Sequence, residues 1–232
     1  MLIRIWSWLG AREKAWRRSF GRDITDPDER KRSAWHVDWL DHGILRRRWH
    51  NFAEIAPGAY RSNHPNHDRF ADYAELGIKT VLNLRGKVRT ASWLFEEETC
   101  KRLGLTLIDI PMSARAAPPH ASIMALLDAY DTIERPFLMH CKSGADRTGL
   151  AAAIYLMVIA GGTLAEARRQ LSRRFLHFRR SRTGVMDHVL DVYERRNARA
   201  PISMRDWLKA EYDPAQIDAS FDTFRANGYR WA

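Results

Sequence analysis

From Glu54 onward the chain alternates short apolar runs with longer stretches in which apolar side chains recur every three or four positions. The first pattern fits buried strands and the second amphipathic helices. Glu54 to Arg61 reads as a strand or hairpin around Pro57-Gly58, and Lys79 to Leu84, Leu105 to Ile110 and Pro136 to His140 read as buried strands. The spacing predicts helices over His67–Leu76 and Ser92–Leu103, stopped by Gly77 and Gly104, and from Pro118 to about Ile133. Further helices are expected at Asp146–Ile159, Thr163–Phe175 and Thr183–Arg196. Strands alternating with helices predict an α/β fold: a central, mostly parallel sheet of four to five strands flanked by helices. Ligands of such sheets bind at the carboxyl ends of the strands. The residues just after Leu84 and just after His140 are where chemistry is expected.

Residues 1–50 break this pattern. They hold six of the nine tryptophans and twelve Lys/Arg against seven Asp/Glu, and predict a basic, helical, Trp-rich N-terminal extension. Residues 51–200 carry the alternation as one domain, and 201–232 read as a helical tail packed on it. At 45% hydrophobic and 28% charged, the 232-residue chain is not wholly disordered. Its net charge of +10 points to anionic partners: phosphorylated molecules, membrane surfaces or nucleic acid. Cys100 and Cys141 are too few for a disulfide framework and read as reduced thiols, with no second cysteine or histidine at zinc-ligand spacing. The longest apolar run, Leu150 to Ala160, is about half of what a bilayer requires. The first ten residues, interrupted by Arg4, make a poor secretory signal. The expectation is a cytoplasmic protein, with a peripheral position at the inner membrane face open to it.

After His140 comes Cys141-Lys-Ser-Gly-Ala-Asp-Arg-Thr-Gly149. A loop that leaves a buried strand and enters a helix N-terminus directs several backbone N–H groups at one point, and the helix dipole adds positive potential there. Phosphate is the natural occupant, received by the backbone of Lys142, Ser143, Gly144 and Ala145. Gly144 permits the tight turn, and Arg147 can close on the phosphate with a bidentate fork. A cysteine in such a nest titrates low, so Cys141 is a candidate nucleophile toward phosphorus. Thr148 can donate a hydrogen bond to its sulfur.

This His-Cys-x5-Arg-Thr segment resembles the active-site loop of the protein tyrosine phosphatase superfamily, in its dual-specificity-like branch. Weaker likeness runs through Tyr60-Arg61-Ser62, LGIKTVLNLRG (76–86) and IPMSARAAPP (110–119) to about residue 195. The resemblance implies a phosphatase-like fold, with Cys141 as nucleophile and Arg147 as phosphate clamp. It makes Thr148 the hydroxyl that eases loss of the thiolate and His140 a support for the loop. It implies neither metal nor cofactor. A cysteine near mid-chain departs from low-molecular-weight phosphatases, whose loop lies near the N-terminus. The family usually supplies a general acid from an upstream aspartate. Asp109, 32 residues before Cys141, has dual-specificity spacing but falls within an expected strand, and the loop beyond it (111–118) holds no carboxylate. Asp146 is favoured instead, because Asp-Arg-Thr is similar to the loops of myotubularin-like and Sac-like phosphoinositide phosphatases; the plainer role for Asp146 is to complement the helix dipole.

Arg85, at the end of a strand, projects toward the same rim, either to touch substrate or to form a surface ion pair. Lys142 hints at a substrate with more than one phosphate, such as an inositol phosphate or a lipid headgroup. Residues 168–182 carry seven arginines and no acid, with Leu171, Phe175 and Phe178 near helical spacing. They predict a solvated helix face or a contact with an anionic surface. The N-terminal tryptophans with Arg4, Arg12, Lys14, Arg17 and Arg18 have the composition of an interfacial anchor, or of an added helical layer. No nucleic-acid-binding motif is visible. The leading expectation is a cysteine-dependent phosphatase that hydrolyses phosphate monoesters of proteins, inositols or lipids through a cysteinyl-phosphate. The alternatives are a non-catalytic phospho-ligand or membrane-binding adaptor, and an RNA 5′-triphosphatase, a function that a related fold serves.

Overall fold

The structure, a computed structural model, describes residues 19–21 and 23–231. Its sheet has five strands in the order β1-β2-β5-β3-β4: β1 Ala53–Ala56, β2 Ala59–Ser62, β3 Thr80–Asn83, β4 Thr106–Asp109 and β5 Phe137–His140. β1 and β2 form the antiparallel hairpin, turning through Gly58 at φ +75°. The other pairings are parallel: β2 with β5, β5 with β3, and β3 with β4. Their register sets Ser62, His140, Asn83 and Asp109 side by side. Four parallel strands therefore end on one row, and the loops that leave them open on one edge.

Alternation along the strands divides the core. Leu82, Phe137 and Met139 face the larger side. There they pack with helices α5 (His120–Thr132), α6 (Asp146–Val158) and α8 (Val185–Arg199). Val81 faces the smaller side with Phe70 of α3 (His67–Glu75) and Cys100 of α4 (Ala91–Leu103). Helix α6 is buried without a break from Thr148 to Leu156, which is why its sequence is apolar all round. The C-terminal helices α9 (Met204–Ala210) and α10 (Pro214–Ala226) share this core through Trp207, Leu208, Phe221 and Phe224.

The helix expected over Thr163–Phe175 is a correction. Helix α7 covers only Leu164–Arg169, closed at its start by a capping box between Thr163 and Glu166, and a 3-10 turn follows at Arg173–Phe175. A continuing helix would need the Gln170 carbonyl for residue 174; that carbonyl instead accepts Arg61 Nη1 at 2.8 Å. Leu171 and Phe175 are buried, whereas Phe178 is exposed and shares no helical face with them. Before the sheet lie α1 (Pro27–Trp35), a π-helical turn (His36–Leu40) and α2 (Gly43–Arg46), so a helical extension is present, with Trp35 and Trp39 exposed. Trp6, Trp8, Trp16 and the cations from Arg4 to Arg18 lie outside the described residues. Among the described residues no helix is long and apolar enough to cross a membrane.

Candidate active site

The loop Cys141–Ala145 connects β5 to the N-terminus of α6, as the sequence requires, and bends throughout. Gly144 sits at φ +70°, and a Cβ there would stand 2.5 Å from Ser62 O and 2.6 Å from Asn63 N. Only glycine lets the loop lie this close on the end of β2. The loop is tied to its surroundings through its carbonyls. His64 N donates to Lys142 O at 3.2 Å, Asn51 Nδ2 donates to Ser143 O at 2.9 Å, and Arg61 Nη2 donates to Gly144 O at 2.6 Å. Three of the loop's carbonyls are thereby engaged by donors from outside the loop, while Ala145 N donates within it to Ser143 Oγ at 3.4 Å.

Two thiols in one chain show what the loop does. Burial raises the Cys100 thiol, and the charges of Glu96 and Asp109 raise it further, so it is an inert core residue. Burial also works to raise Cys141, but the Arg147 charge and the Thr148 hydroxyl and backbone N–H outweigh it, and the thiol falls below its ordinary value. The Thr148 side chain that contributes to this lowering is fully buried beside the loop. Arg147 Nη1 donates to Leu84 O at 3.4 Å, and its buried Nε has no protein partner, so much of the guanidinium fork is open to a phosphate. Cys141, Arg147, Thr148 and the loop Lys142–Ala145 thus come together as the motif predicts.

The residues that support the loop come from distant parts of the chain, and two of them, His64 and Glu96, carry no sequence signal strong enough to assign. Arg61, in the middle of β2, is fully buried, donates to Gln170 O and Oε1 at 2.8 Å each, and lies 3.6 Å over the Phe175 ring. A charge inside a strand was the available clue. His140 Nε2 meets Glu96 Oε1 at 2.6 Å, a carboxylate on the buried face of α4. His64, Glu96 and His140 bring three possible ligand atoms within 4.8 Å of one another. Arg85 Nη1 lies 3.3 Å from His64 Nδ1, and Arg46 and Arg69 add positive field to the burial that already holds His64 neutral. A cation does not suit that field; the trio serves as a hydrogen-bonded support for the loop.

Both candidate aspartates are held by hydrogen bonds within the protein. Asp146 Oδ1 accepts from His177 Nδ1 at 2.8 Å, and His177 Nε2 meets Asp187 Oδ2 at 2.6 Å. Burial would raise Asp146, but His177 and Thr183 bonds and the charges of His177 and Arg147 lower it. Asp146, favoured from the sequence as proton donor, is a carboxylate that fastens the loop to His177. Asp109 accepts from Asn83 Nδ2 at 2.8 Å and from Trp93 Nε1 at 3.1 Å, so it is held at the strand row. Arg85 and Lys142 do reach the rim, and both pair with Asp41, a residue the sequence did not single out: Lys142 Nζ at 2.8 Å and Arg85 Nη1 at 3.4 Å.

Burial lowers His177, yet its two carboxylate partners raise its pKa from 6.5 to about 9. A raised pKa stabilises the fold fully below about 6.5, and the contribution is lost as pH climbs through about 9. At about 1.4 kcal/mol per pKa unit this is on the order of a few kcal/mol. Thermal midpoints of the parent should fall between pH 7 and pH 10, and a His177→Gln variant should show a flatter profile. Equal slopes in the two proteins would refute the buried imidazolium.

Residues 60–185 match the family model described as "DSP-PTPase phosphatase fused to NAD+ kinase". Among curated proteins, the dual specificity protein phosphatase TpbA of Pseudomonas aeruginosa strain UCBPP-PA14 is 31% identical over 125 residues, 53% of this chain and 54% of that protein. TpbA of strain PAO1 is 33% identical over 113 residues, 48% of each chain. The chain spans about half the length of the curated relatives it matches. The crystal structure of P. aeruginosa TpbA superposes with a TM-score of 0.50 at 22% identity, covering 75% of this chain and 91% of that one, a likeness of fold. The phosphatase-like arrangement expected from the loop is therefore the observed one. With more than half of its length under the family model, the chain belongs to the dual-specificity-type (DSP-PTPase) phosphatase family that the model describes as fused to NAD+ kinase.

Proposed function

We propose that this chain is a cysteine-dependent phosphatase that hydrolyses phosphate monoesters through a cysteinyl-phosphate. The observation that carries the reading is Cys141: a buried thiol lowered below its ordinary pKa beside an arginine whose fork is not consumed by the protein. The loop amides and Arg147 receive the phosphoryl oxygens. The Cys141 thiolate attacks phosphorus, forming the S–P bond as the ester P–O bond breaks and the leaving oxygen departs as the oxyanion, which takes its proton from water. Water then attacks the phosphocysteine, giving inorganic phosphate and returning the thiolate, which Thr148 stabilises as it leaves.

Cys141→Ser should abolish turnover of a chromogenic aryl phosphate, by about 1,000-fold or more, while calorimetry still detects binding of the ester. The serine hydroxyl stays un-ionised at neutral pH and the nest is intact. Turnover in the variant would overturn the mechanism, and a parent that binds but never hydrolyses would favour the adaptor.

Asp146 is ionised and engaged with His177, so leaving groups that depart with little proton assistance are the preferred ones. Aryl phosphates should exceed alkyl phosphates in kcat/KM. Asp146→Asn should lower both classes by a similar factor through the loop. A loss confined to alkyl phosphates would restore Asp146 as the acid.

An anionic lipid surface is the partner this reading favours. Leu176 and Phe178 are exposed in a segment where Arg173, Arg174, Arg180 and Arg182 have no carboxylate partner among the described residues, and His177 ties that segment to the phosphate loop through Asp146. Co-sedimentation with phosphatidylserine vesicles should weaken about tenfold in a Leu176→Ser/Phe178→Ser variant. Unchanged sedimentation would remove the lipid surface from the reading.

A further inference from the structure

Asp41 lies outside residues 60–185, in the turn between the π-helical segment and α2, yet its carboxylate reaches the carboxyl edge of the sheet. It meets three cations there: Lys142 Nζ at 2.8 Å, Arg46 Nη2 at 3.2 Å and Arg85 Nη1 at 3.4 Å. Ser92 Oγ donates to the same carboxylate at 3.1 Å. Two of these cations belong to the catalytic edge. Lys142 is the residue after Cys141, and Arg85 follows β3 immediately after Leu84, whose carbonyl takes Arg147. The Asp41 side chain is nearly buried, while Lys142 is 39% exposed and forms the wet side of the cluster. Several cations and a hydroxyl converging on one carboxylate is the donor set of an anion site whose anion comes from the chain itself. Burial opposes the charge on Asp41, but Arg85, Arg46 and Lys142 hold it at about 2, so the carboxylate is present throughout the neutral range.

Resting on the phosphomonoesterase reading above, we propose that Asp41 occupies a second anion subsite beside the phosphate loop. In that position it disfavours substrates with a second phosphate next to the one being cleaved. Such a phosphate would need Lys142 and Arg85, whose charges Asp41 already neutralises, and it would meet the Asp41 carboxylate as a like charge. The lysine that reads in the sequence as a mark of polyphosphorylated substrates is, in the folded chain, turned to the opposite use. Asp41 is a specificity determinant supplied by a segment that the family model does not cover.

The test compares kcat/KM of the full chain and of Asp41→Asn for two soluble substrates, an aryl monophosphate and an inositol bisphosphate with neighbouring phosphates. The bisphosphate-to-monophosphate ratio should rise about tenfold or more in Asp41→Asn. It should keep the parent value in Asp41→Glu, which restores the charge, and in Asp38→Asn, which breaks only the Arg47 pair on the same segment. Adding Lys142→Met to Asp41→Asn should remove most of the gain. An unchanged ratio in a folded Asp41→Asn protein overturns the proposal, and so does an equal rise in Asp38→Asn. Calorimetry in the Cys141→Ser background separates this from the catalytic reading. There the affinity ratio for the two ligands should still shift with Asp41→Asn even if the parent hydrolyses neither, and no shift would sink the subsite on its own.

Discussion

A fully buried guanidinium beneath the phosphate loop is the constraint around which the site is built. Arg61 is fully buried and, among the described residues, has no carboxylate among its hydrogen-bond partners; it donates to the carbonyls of Gly144 and Gln170 and to the Gln170 side chain, with its face on Phe175. A buried charge without a counterion costs several kcal/mol. Burial lowers the Arg61 pKa, and the opposing charge that raises it is the Cys141 thiolate. The Cys141 charge thus favours the buried cation lying under its loop, against burial and the nearby Arg174. The same arginine takes the Gln170 carbonyl and so ends α7, which frees residues 171–178 to fold back against the loop.

Around that centre the loop is held by three acid–imidazole contacts in two clusters. Glu96 fixes His140 at the entry to the loop, and His177, between Asp146 and Asp187, fixes its exit into α6. Such networks restrict a loop more firmly than apolar contacts, because leaving any member unpaired in a low dielectric is costly. A preorganised nest needs this rigidity: its amides must already point at the phosphate before the ester arrives.

The segment before β1 is joined to the same edge. Asn51 bridges Ser143 O and Phe175 O, Asn63 N donates to His50 O, and Asp41 reaches Lys142 and Arg85. These residues join the segment to a candidate site whose motif residues all lie within residues 60–185. The catalytic loop and its rim thus come from different parts of the chain, and the rim can change while the nest stays as it is.

How much of this the sequence itself determines follows from how local each interaction is. The five strands, most helices and the Cys141–Thr148 loop are set by side-chain periodicity and by a motif whose residues are neighbours in the chain, so they are legible in advance. The helix over 163–175 was misread because its end is fixed by Arg61, about 110 residues earlier, and a window of local propensity cannot contain that contact. The partners of Asp146 are hidden from the sequence for a similar reason. Asp146 stands on the loop itself, but His177, which donates to it and helps hold its carboxyl below the usual range against burial, lies 31 residues on. Lys142 keeps its position and changes its meaning once Asp41 is folded against it. Sequence determines which groups stand on the loop, because spacing along a strand and a helix is local; only the tertiary structure decides their charge and partners, because electrostatic fields act through space and take no account of distance along the chain.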